Sequence, residues 1–184
     1  MSHFNNSYAN RGRQLETELE ITHQYYNSRR IAKIQKIPIP VKVLDLNPRT
    51  GKINKAFYEQ KSTVDYIGTY QGQTIVFDAK ETNVETRFDL KNIKEHQYQY
   101  LKDQHRCGAI AFLLIRFSKL ATANNSETYY LPFSVLSEYM EKSREGGRKS
   151  IPYQLIAQEK YRVLAKNSAL VDYLSIVAEI IEQK

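Results

Sequence analysis

The stretch STVDYIGTYQGQTIVFDAKET, from Ser62 to Thr82, predicts two β-strands joined by a tight turn. Gly72 lies between two segments of alternating apolar and polar residues, and a glycine at this place is typical of a hairpin. The strands are expected near residues 63–70 and 74–80. The second strand ends with Asp78 and Lys80, which share one face because side chains alternate along a strand. A hairpin that served only to pack against a core would not need an acid and an amine there.

The turn also predicts which residues face each other. Counting back from residues 71–72 places Asp65 opposite Asp78, where cross-strand Cβ atoms are about 5 Å apart. Two carboxylates this close repel each other, and a hard divalent cation such as Mg²⁺ relieves the repulsion. Thr63 precedes Asp65 by two residues and points to the same face, and Lys80 completes the row. A cation beside an ammonium group suits phosphodiester hydrolysis. The alternative is a simple salt bridge between Asp78 and Lys80 at the sheet surface.

A helix predicted from Asn92, its expected N-cap, to about residue 105 offers a further ligand. Gln97 lies between Ile93 and Leu101 in the apolar stripe of this helix. A buried amide needs polar partners, so the carbonyl oxygen of Gln97 is a candidate metal ligand. His96 lies off the stripe and is expected to face solvent or DNA.

The remaining pattern predicts a mixed α/β chain. A first helix spans about residues 15–26, and Glu16 on it either pairs with Arg13 or faces the site as a candidate third acid. The apolar run from Ala109 to Phe117 predicts a strand buried on both faces. Further elements are expected as a strand from Val41, a strand at ETYYLP, a helix after Pro132, a basic loop at REGGRKSIP and a helix over residues 168–183.

Residues 47–61 form a long polar segment that contains Pro48 and Gly51. Loops of this length inside a compact domain usually carry function, so the segment is interpreted as a protruding arm, with a disordered insertion as the alternative. Phe57 and Tyr58 would stack on exposed bases at its tip, or pack against a dimer partner.

The composition favours a nucleic-acid partner. The chain has 184 residues, 41% of them hydrophobic, a formal net charge of +7 and a pI near 9.3. These values indicate one domain with its own core and a polyanionic partner. No apolar run approaches the roughly 18 residues of a membrane span, no secretion signal is apparent, and Cys107 is the single cysteine. A cytoplasmic location is expected.

Several strings together resemble the RecU-type Holliday-junction resolvases of the PD-(D/E)xK nuclease superfamily. They are NRGRQLE, KIPIPVKV, AFYEQKSTVDYIGTYQGQTIVFDAKET, NIKEHQYQYL and GGRKSIPY, in this order over residues 10–153. The resemblance implies a single nuclease domain over residues 1–184, flexible at residues 1–9. It implies a restriction-endonuclease-like α/β fold: a mixed central sheet flanked by helices, with a protruding stalk at residues 47–61.

The resemblance also implies a Mg²⁺-dependent homodimer, with Mn²⁺ as a substitute, that resolves four-way junctions by paired symmetric nicks in recombination and repair. The family's metal positions fall on Thr63, Asp65, Asp78 and Gln97, and its transition-state-stabilising lysine falls on Lys80. Family members usually carry Glu at the position of Asp78. Recombinase or branch-migration proteins would be partners. The alternatives are a non-catalytic junction-binding protein and a duplex-directed nuclease of the same fold.

Cations along the chain are expected to neutralise DNA phosphates and to supply salt-dependent affinity. Together with the two aromatic residues of the arm, the predicted DNA-binding residues are Arg11, Arg13, Arg29, Arg30, Lys33, Lys36, Arg49, Lys52, Lys55, Phe57, Tyr58, Lys61, Arg148 and Lys149.

Overall fold

The structure is a computed structural model that describes residues 11–58, 63–120 and 126–183, with side chains from residue 14 onward. Three predictions fall outside the described residues. They are the flexibility of residues 1–9, the DNA-binding role of the Arg11 and Arg13 side chains, and the DNA-binding role of Lys61. The α-helices are α1 (Arg11–Ser28), α2 (Glu95–Arg106), α3 (Phe133–Arg144), α4 (Tyr153–Ile156) and α5 (Leu174–Glu182). The strands are β1 (Ala32–Lys36), β2 (Val41–Leu46), β3 (Ile53–Tyr58), β4 (Tyr66–Tyr70), β5 (Gln73–Thr82), β6 (Arg87–Asp89), β7 (Ile110–Phe117), β8 (Glu127–Pro132), β9 (Ser150–Pro152) and β10 (Arg162–Val163).

Six strands form the central sheet in the order β1-β4-β5-β7-β8-β10. Only the pairing of β5 with β7 is parallel, and the other neighbours in this sheet are antiparallel. Helices pack on both faces, so the expected mixed central sheet flanked by helices is confirmed. The hairpin register is also confirmed, because Tyr66 pairs with Phe77 and the next residues outward are Asp65 and Asp78.

The core consists of one apolar layer on each face of the sheet. On one face, Leu19 of α1 and Tyr173 of the C-terminal segment pack against Phe77 and Phe112. On the other face, α2 and α3 pack over a layer that includes Val76. All residues of β7 are buried, as its continuous apolar run predicted. Complete burial of a large apolar side chain contributes about 1.5–3 kcal/mol, so this strand anchors both layers.

Strands β2 and β3 pair only with each other and form a separate hairpin. Every residue of both strands is exposed. At the turn, the side chain of Asn47 accepts hydrogen bonds from the backbone N–H groups of Arg49 and Thr50, and Gly51 adopts a positive φ of 68°. The arm that the sequence placed at residues 47–61 therefore includes β2, and its first strand begins at Val41.

Three local predictions need correction. Asn92 is not a helix N-cap but ends a 3-10 turn, and α2 is capped at Lys94. The C-terminal helix begins at Leu174 instead of near residue 168. The basic loop after α3 contains β9, which pairs with β6.

Candidate active site

Asp65 and Asp78 meet at the open end of the β4–β5 hairpin, where β4 begins and β5 continues along β7. The backbone N–H of Ala79 donates a hydrogen bond of 3.0 Å to Oδ2 of Asp65, which holds this carboxylate against β5. Asp78 is completely buried. The Nζ atom of Lys80 lies 2.8 Å from Oδ2 of Asp78, and its side chain is 19% exposed. The structure thus brings together three residues that the sequence predicted as one row.

The pKa of Asp78 is raised to about 8, chiefly by burial. The adjacent Asp65 carboxyl group contributes to this rise, and the positive charge of Lys80 opposes it. In the protein without a bound cation, one ammonium group therefore compensates only part of the cost of holding two carboxylates together. A divalent cation would favour the ionised form of both acids.

The buried oxygens of Asp78 fit a metal site better than a purely structural salt bridge. Among the described residues, neither oxygen has a hydrogen-bond partner with acceptable geometry. The contact with the Lys80 ammonium, at 2.8 Å from Oδ2, is an ion pair. A buried ion pair stabilises a fold only when further hydrogen bonds satisfy its remaining atoms. A hard cation would satisfy Oδ1 directly, and Oδ2 once Lys80 turns toward a bound phosphate.

Such a site would need neutral ligands in addition to the two acids. Within residues 11–58, 63–120 and 126–183, no group of three or more His, Cys, Asp or Glu side chains could hold a metal ion. One predicted neutral ligand is Thr63, which is half-buried and lies two residues before Asp65. Mg²⁺ usually binds one or two carboxylates and completes its shell with water and phosphate oxygens, so a site with two carboxylates fits this metal.

Gln97 is buried, as its place in the apolar stripe predicted. It lies in the first turn of α2, which packs on the Val76 side of the sheet, the side that Asp78 also faces. Its Oε1 atom accepts a hydrogen bond of 3.1 Å from the backbone N–H of Lys94. A carbonyl oxygen has two lone pairs, so this cap leaves one for a cation or a bridging water. The metal role of Gln97 stays a prediction.

Glu16 forms an ion pair with a cation of β1, and the side chain of Arg13, its expected partner, lies outside the described residues. Its Oε2 atom lies 2.7 Å from Nζ of Lys36 on β1, and both side chains are about half exposed. This hydrogen bond raises the pKa of Lys36, and the charges of Glu20 and Asp65 raise it further. Glu16 therefore lies in the same electrostatic neighbourhood as Asp65. Its role as a third acid stays a prediction.

Tyr66 is a polar residue of this region that the sequence analysis did not single out. Its hydroxyl group is buried and has no hydrogen-bond partner among the described residues. Burial raises its pKa, and the negative charges of Glu16 and Asp65 raise it further. The signal in the sequence was its position directly after Asp65, but a tyrosine there also fits an ordinary core position.

The predicted DNA-binding residues occupy several separate surfaces. Arg29 and Arg30 follow α1, and Lys33 of β1 donates a hydrogen bond to Asn27. The hairpin carries Arg49, Lys52 and Lys55 together with Phe57 and Tyr58, whose exposed fractions are 48% and 72%. Arg148 and Lys149 are exposed between α3 and β9. Their contacts with DNA stay predictions.

A sequence model of the family described as "Recombination protein U" matches residues 10–179. The chain belongs to the RecU family. A Holliday junction resolvase RecU from a Geobacillus species is 38% identical over 180 residues, covering 96% of this chain and 87% of the relative. The protein of that name from Geobacillus kaustophilus is 40% identical over 176 residues, covering 94% and 86%.

These matches agree with the resemblance to RecU that the sequence strings indicated. A solved structure of Hjc, a Holliday junction resolvase from Archaeoglobus fulgidus, matches 63% of this chain and 77% of its own, with 8% identity and a TM-score of 0.36. No conclusion follows from so distant a similarity. In this chain, the row formed by Asp65, Asp78 and Lys80 combines paired acids with an ammonium group.

Proposed function

We propose that this chain is an endodeoxyribonuclease that resolves Holliday junctions by paired symmetric nicks, with Mg²⁺ as its metal and Mn²⁺ as a substitute. The observation that carries the proposal is the buried Asp78 carboxylate, whose oxygens lack hydrogen-bond partners among the described residues. It lies beside Lys80 and opposite Asp65. Membership of the RecU family, with relatives named Holliday junction resolvases, supports the choice of substrate.

The residues divide the chemistry between them. A bound Mg²⁺ would polarise the scissile phosphate and lower the pKa of an attacking water. Asp65 and Asp78 would hold it with their carboxylates, and Thr63 and Gln97 would contribute neutral oxygen atoms. Lys80 would donate hydrogen bonds to the phosphate oxygens as negative charge develops on them. The hydrogen bond from Ala79 orients Asp65 before any ligand arrives.

The restricted access of a cation to Asp78 favours a second candidate function. Asp78 is fully buried, and the partly exposed Lys80 lies against it. Asp is also one methylene shorter than the Glu that the resemblance implies at this position. If Lys80 stays against Asp78, Oδ2 remains occupied and a cation would have only Oδ1 of Asp78 as a ligand. The chain would then be a non-catalytic junction-binding protein with the same fold.

The β2–β3 hairpin supports the proposal of a homodimer. It exposes Val41, Leu44, Leu46 and Ile53, each by 47–55%. An isolated two-stranded hairpin is only marginally stable in water, so this apolar surface is expected to be covered in the working protein. A C2 dimer matches the approximate two-fold symmetry of a four-way junction. We expect the dimer to work in the cytoplasm, with recombinase or branch-migration proteins as binding partners.

The test is metal-dependent cleavage of a synthetic four-way junction by the purified chain. Asp65→Ala should abolish cleavage and leave junction binding in EDTA within about threefold of wild type, because it removes a metal ligand and no phosphate-neutralising cation. Asp103→Ala, at an exposed position of α2, is the control with the same charge change and should cleave normally.

The outcomes separate the candidates. Cleavage retained in Asp65→Ala would refute the assignment of the site. Tight junction binding by wild type without nicking at any Mg²⁺ or Mn²⁺ concentration would favour the non-catalytic candidate. Equal affinity for a linear duplex and a junction would favour a duplex-directed nuclease.

A further inference from the structure

A basic groove of about 550 Å³ lies on the α2–α3 side of the sheet, and neither Asp65 nor Asp78 lines it. It is formed by β6, the turn after it, the start of α2, the end of α3 and the loop that enters β9. Its charged lining residues are Arg87, Asp89, Lys91, Glu95, Arg144 and Lys149. We call it the β6–α3 groove.

The cations of the groove outnumber its acids by four to two. Each acid already has a partner: Nε of Arg87 lies 2.8 Å from Asp89, and Nη2 of Arg144 lies 2.8 Å from Glu95. Lys91 is exposed, and its Nζ atom makes only a long ion pair, 3.8 Å from Oδ2 of Asp89. In the described part of the chain, no acidic side chain pairs with Lys149. Two positive charges are therefore left for an anionic ligand.

The backbone around Lys149 is held in place by the fold. The carbonyl oxygen of Lys149 accepts a hydrogen bond of 3.1 Å from Leu90, next to the β6–β9 pairing. The N–H of Gly147 donates to the carbonyl oxygen of Lys142 at 2.8 Å, and a Cβ atom at Gly147 would approach that oxygen to 2.7 Å. A loop fixed in this way loses little conformational freedom when its side chains bind a ligand.

The groove and the candidate site lie on the same side of the sheet. Leu90, at the groove, belongs to the same core layer as Val76, and Val76 shares its face of β5 with Asp78 and Lys80. Arg87 is seven positions after Lys80, so their Cα atoms are at most about 25 Å apart. One turn of B-DNA spans about 34 Å. A duplex arm held at Lys80 can therefore reach the groove within one turn.

We propose that the β6–α3 groove binds the phosphate backbone of the junction arm whose strand occupies the catalytic site. This inference rests on the proposed function and adds to it a second contact on the same arm. Lys91 joins Lys149 as a DNA-binding residue because of its position in the groove, which its spacing in the sequence did not indicate. The contact is with phosphates, so it supplies affinity and orientation rather than sequence preference.

The test compares Lys91→Gln/Lys149→Gln with the matched control Lys160→Gln/Lys166→Gln, which makes the same charge change near β10 and the C-terminal segment. Binding of a fluorescent four-way junction is measured in EDTA from 50 to 200 mM salt. If each lysine contacts one phosphate, the slope of log K against log salt should become shallower by about 1.8 in the groove variant, since each phosphate contributes about 0.9. The control should keep the wild-type slope.

A wild-type slope in the groove variant, or an equal change in the control, would overturn the inference while leaving the proposed function intact. Failure of the wild-type chain to bind the junction at all would instead refute the proposed function.

Discussion

Replacing Asp78 by Asn should stabilise the metal-free protein while abolishing cleavage. The folded protein holds the Asp78 carboxyl group at a pKa of about 8, against 3.8 for an ordinary aspartate. As pH rises above 3.8, the unfolded chain releases this proton while the folded chain retains it. Stability is therefore lost progressively up to about pH 8, where the folded form also ionises. An amide of nearly the same shape carries no such cost.

The size of the effect follows from the same shift. One pKa unit corresponds to 1.36 kcal/mol, so between pH 3.8 and pH 7 the ionisation of Asp78 costs about 4 kcal/mol of folding free energy. Between pH 6.5 and pH 8 the wild-type protein should lose about 1.5 kcal/mol relative to Asp78→Asn. The histidines are the same in both proteins, so the difference between the two unfolding curves isolates the Asp78 contribution.

The assay is urea unfolding of both proteins in EDTA at pH 6.5, 7.2 and 8.0, followed by the same series with 10 mM Mg²⁺. Added Mg²⁺ should stabilise wild type, because a ligand that binds only the folded state shifts the equilibrium toward it, and it should leave Asp78→Asn nearly unchanged. A constant difference between the two proteins across the three pH values would refute the account of Asp78 as a destabilised carboxylate. Equal stabilisation of both by Mg²⁺ would refute its role as a ligand.

Two further changes test the fold around the site. His23 is buried and its pKa is lowered by burial to about 4, so its neutral form is required for folding and stability is lost as pH falls from about 6.5 to 4. Relative to His23→Gln, wild type should lose about 2 kcal/mol between pH 7.5 and pH 5 in urea unfolding, and parallel curves would contradict this. Gly68→Ala should cost about 2 kcal/mol by overpacking, because its Cβ atom would lie 2.2 Å from the carbonyl oxygen of Lys33. Gly72→Asn is the control, since its turn position has open space and Asn tolerates a positive φ; thermal melts in which both variants behave alike would contradict the overpacking argument.

The central hairpin could be predicted from sequence because two local rules act on it together. The turn at Gly72 fixes which residues pair, and alternation along the strand then fixes the face. The placement of Asp65 beside Asp78 follows from these rules alone. The burial of Gln97 was predictable in the same way, from its place in an apolar stripe of helical spacing.

Other features depend on contacts that are distant in the chain. The segment before α5 has the amphipathic pattern of a helix, but Val171 donates a backbone hydrogen bond to the side chain of Thr22, and the hydroxyl of Tyr26 donates to Asp172. These contacts, across nearly 150 residues, keep the segment non-helical until Leu174. The groove cations come from three separate parts of the chain, so their convergence could not be predicted from spacing.

A row of stacked aromatic rings explains how the sheet holds Asp65 and Asp78 side by side despite their mutual repulsion. On the face opposite Asp78, the ring of Phe77 stacks on Tyr66 and on Phe112, with centroid distances of 4.8 Å to each. The ring of Phe112 stacks on Tyr130 at 4.3 Å. Each such pair contributes about 0.5–1.5 kcal/mol beyond its burial, so the row locks β4, β5, β7 and β8 together at the level of the site. Because neighbouring residues of a strand point to opposite faces, fixing Phe77 also fixes Asp78, and the acids cannot separate to relieve their repulsion without breaking the stack.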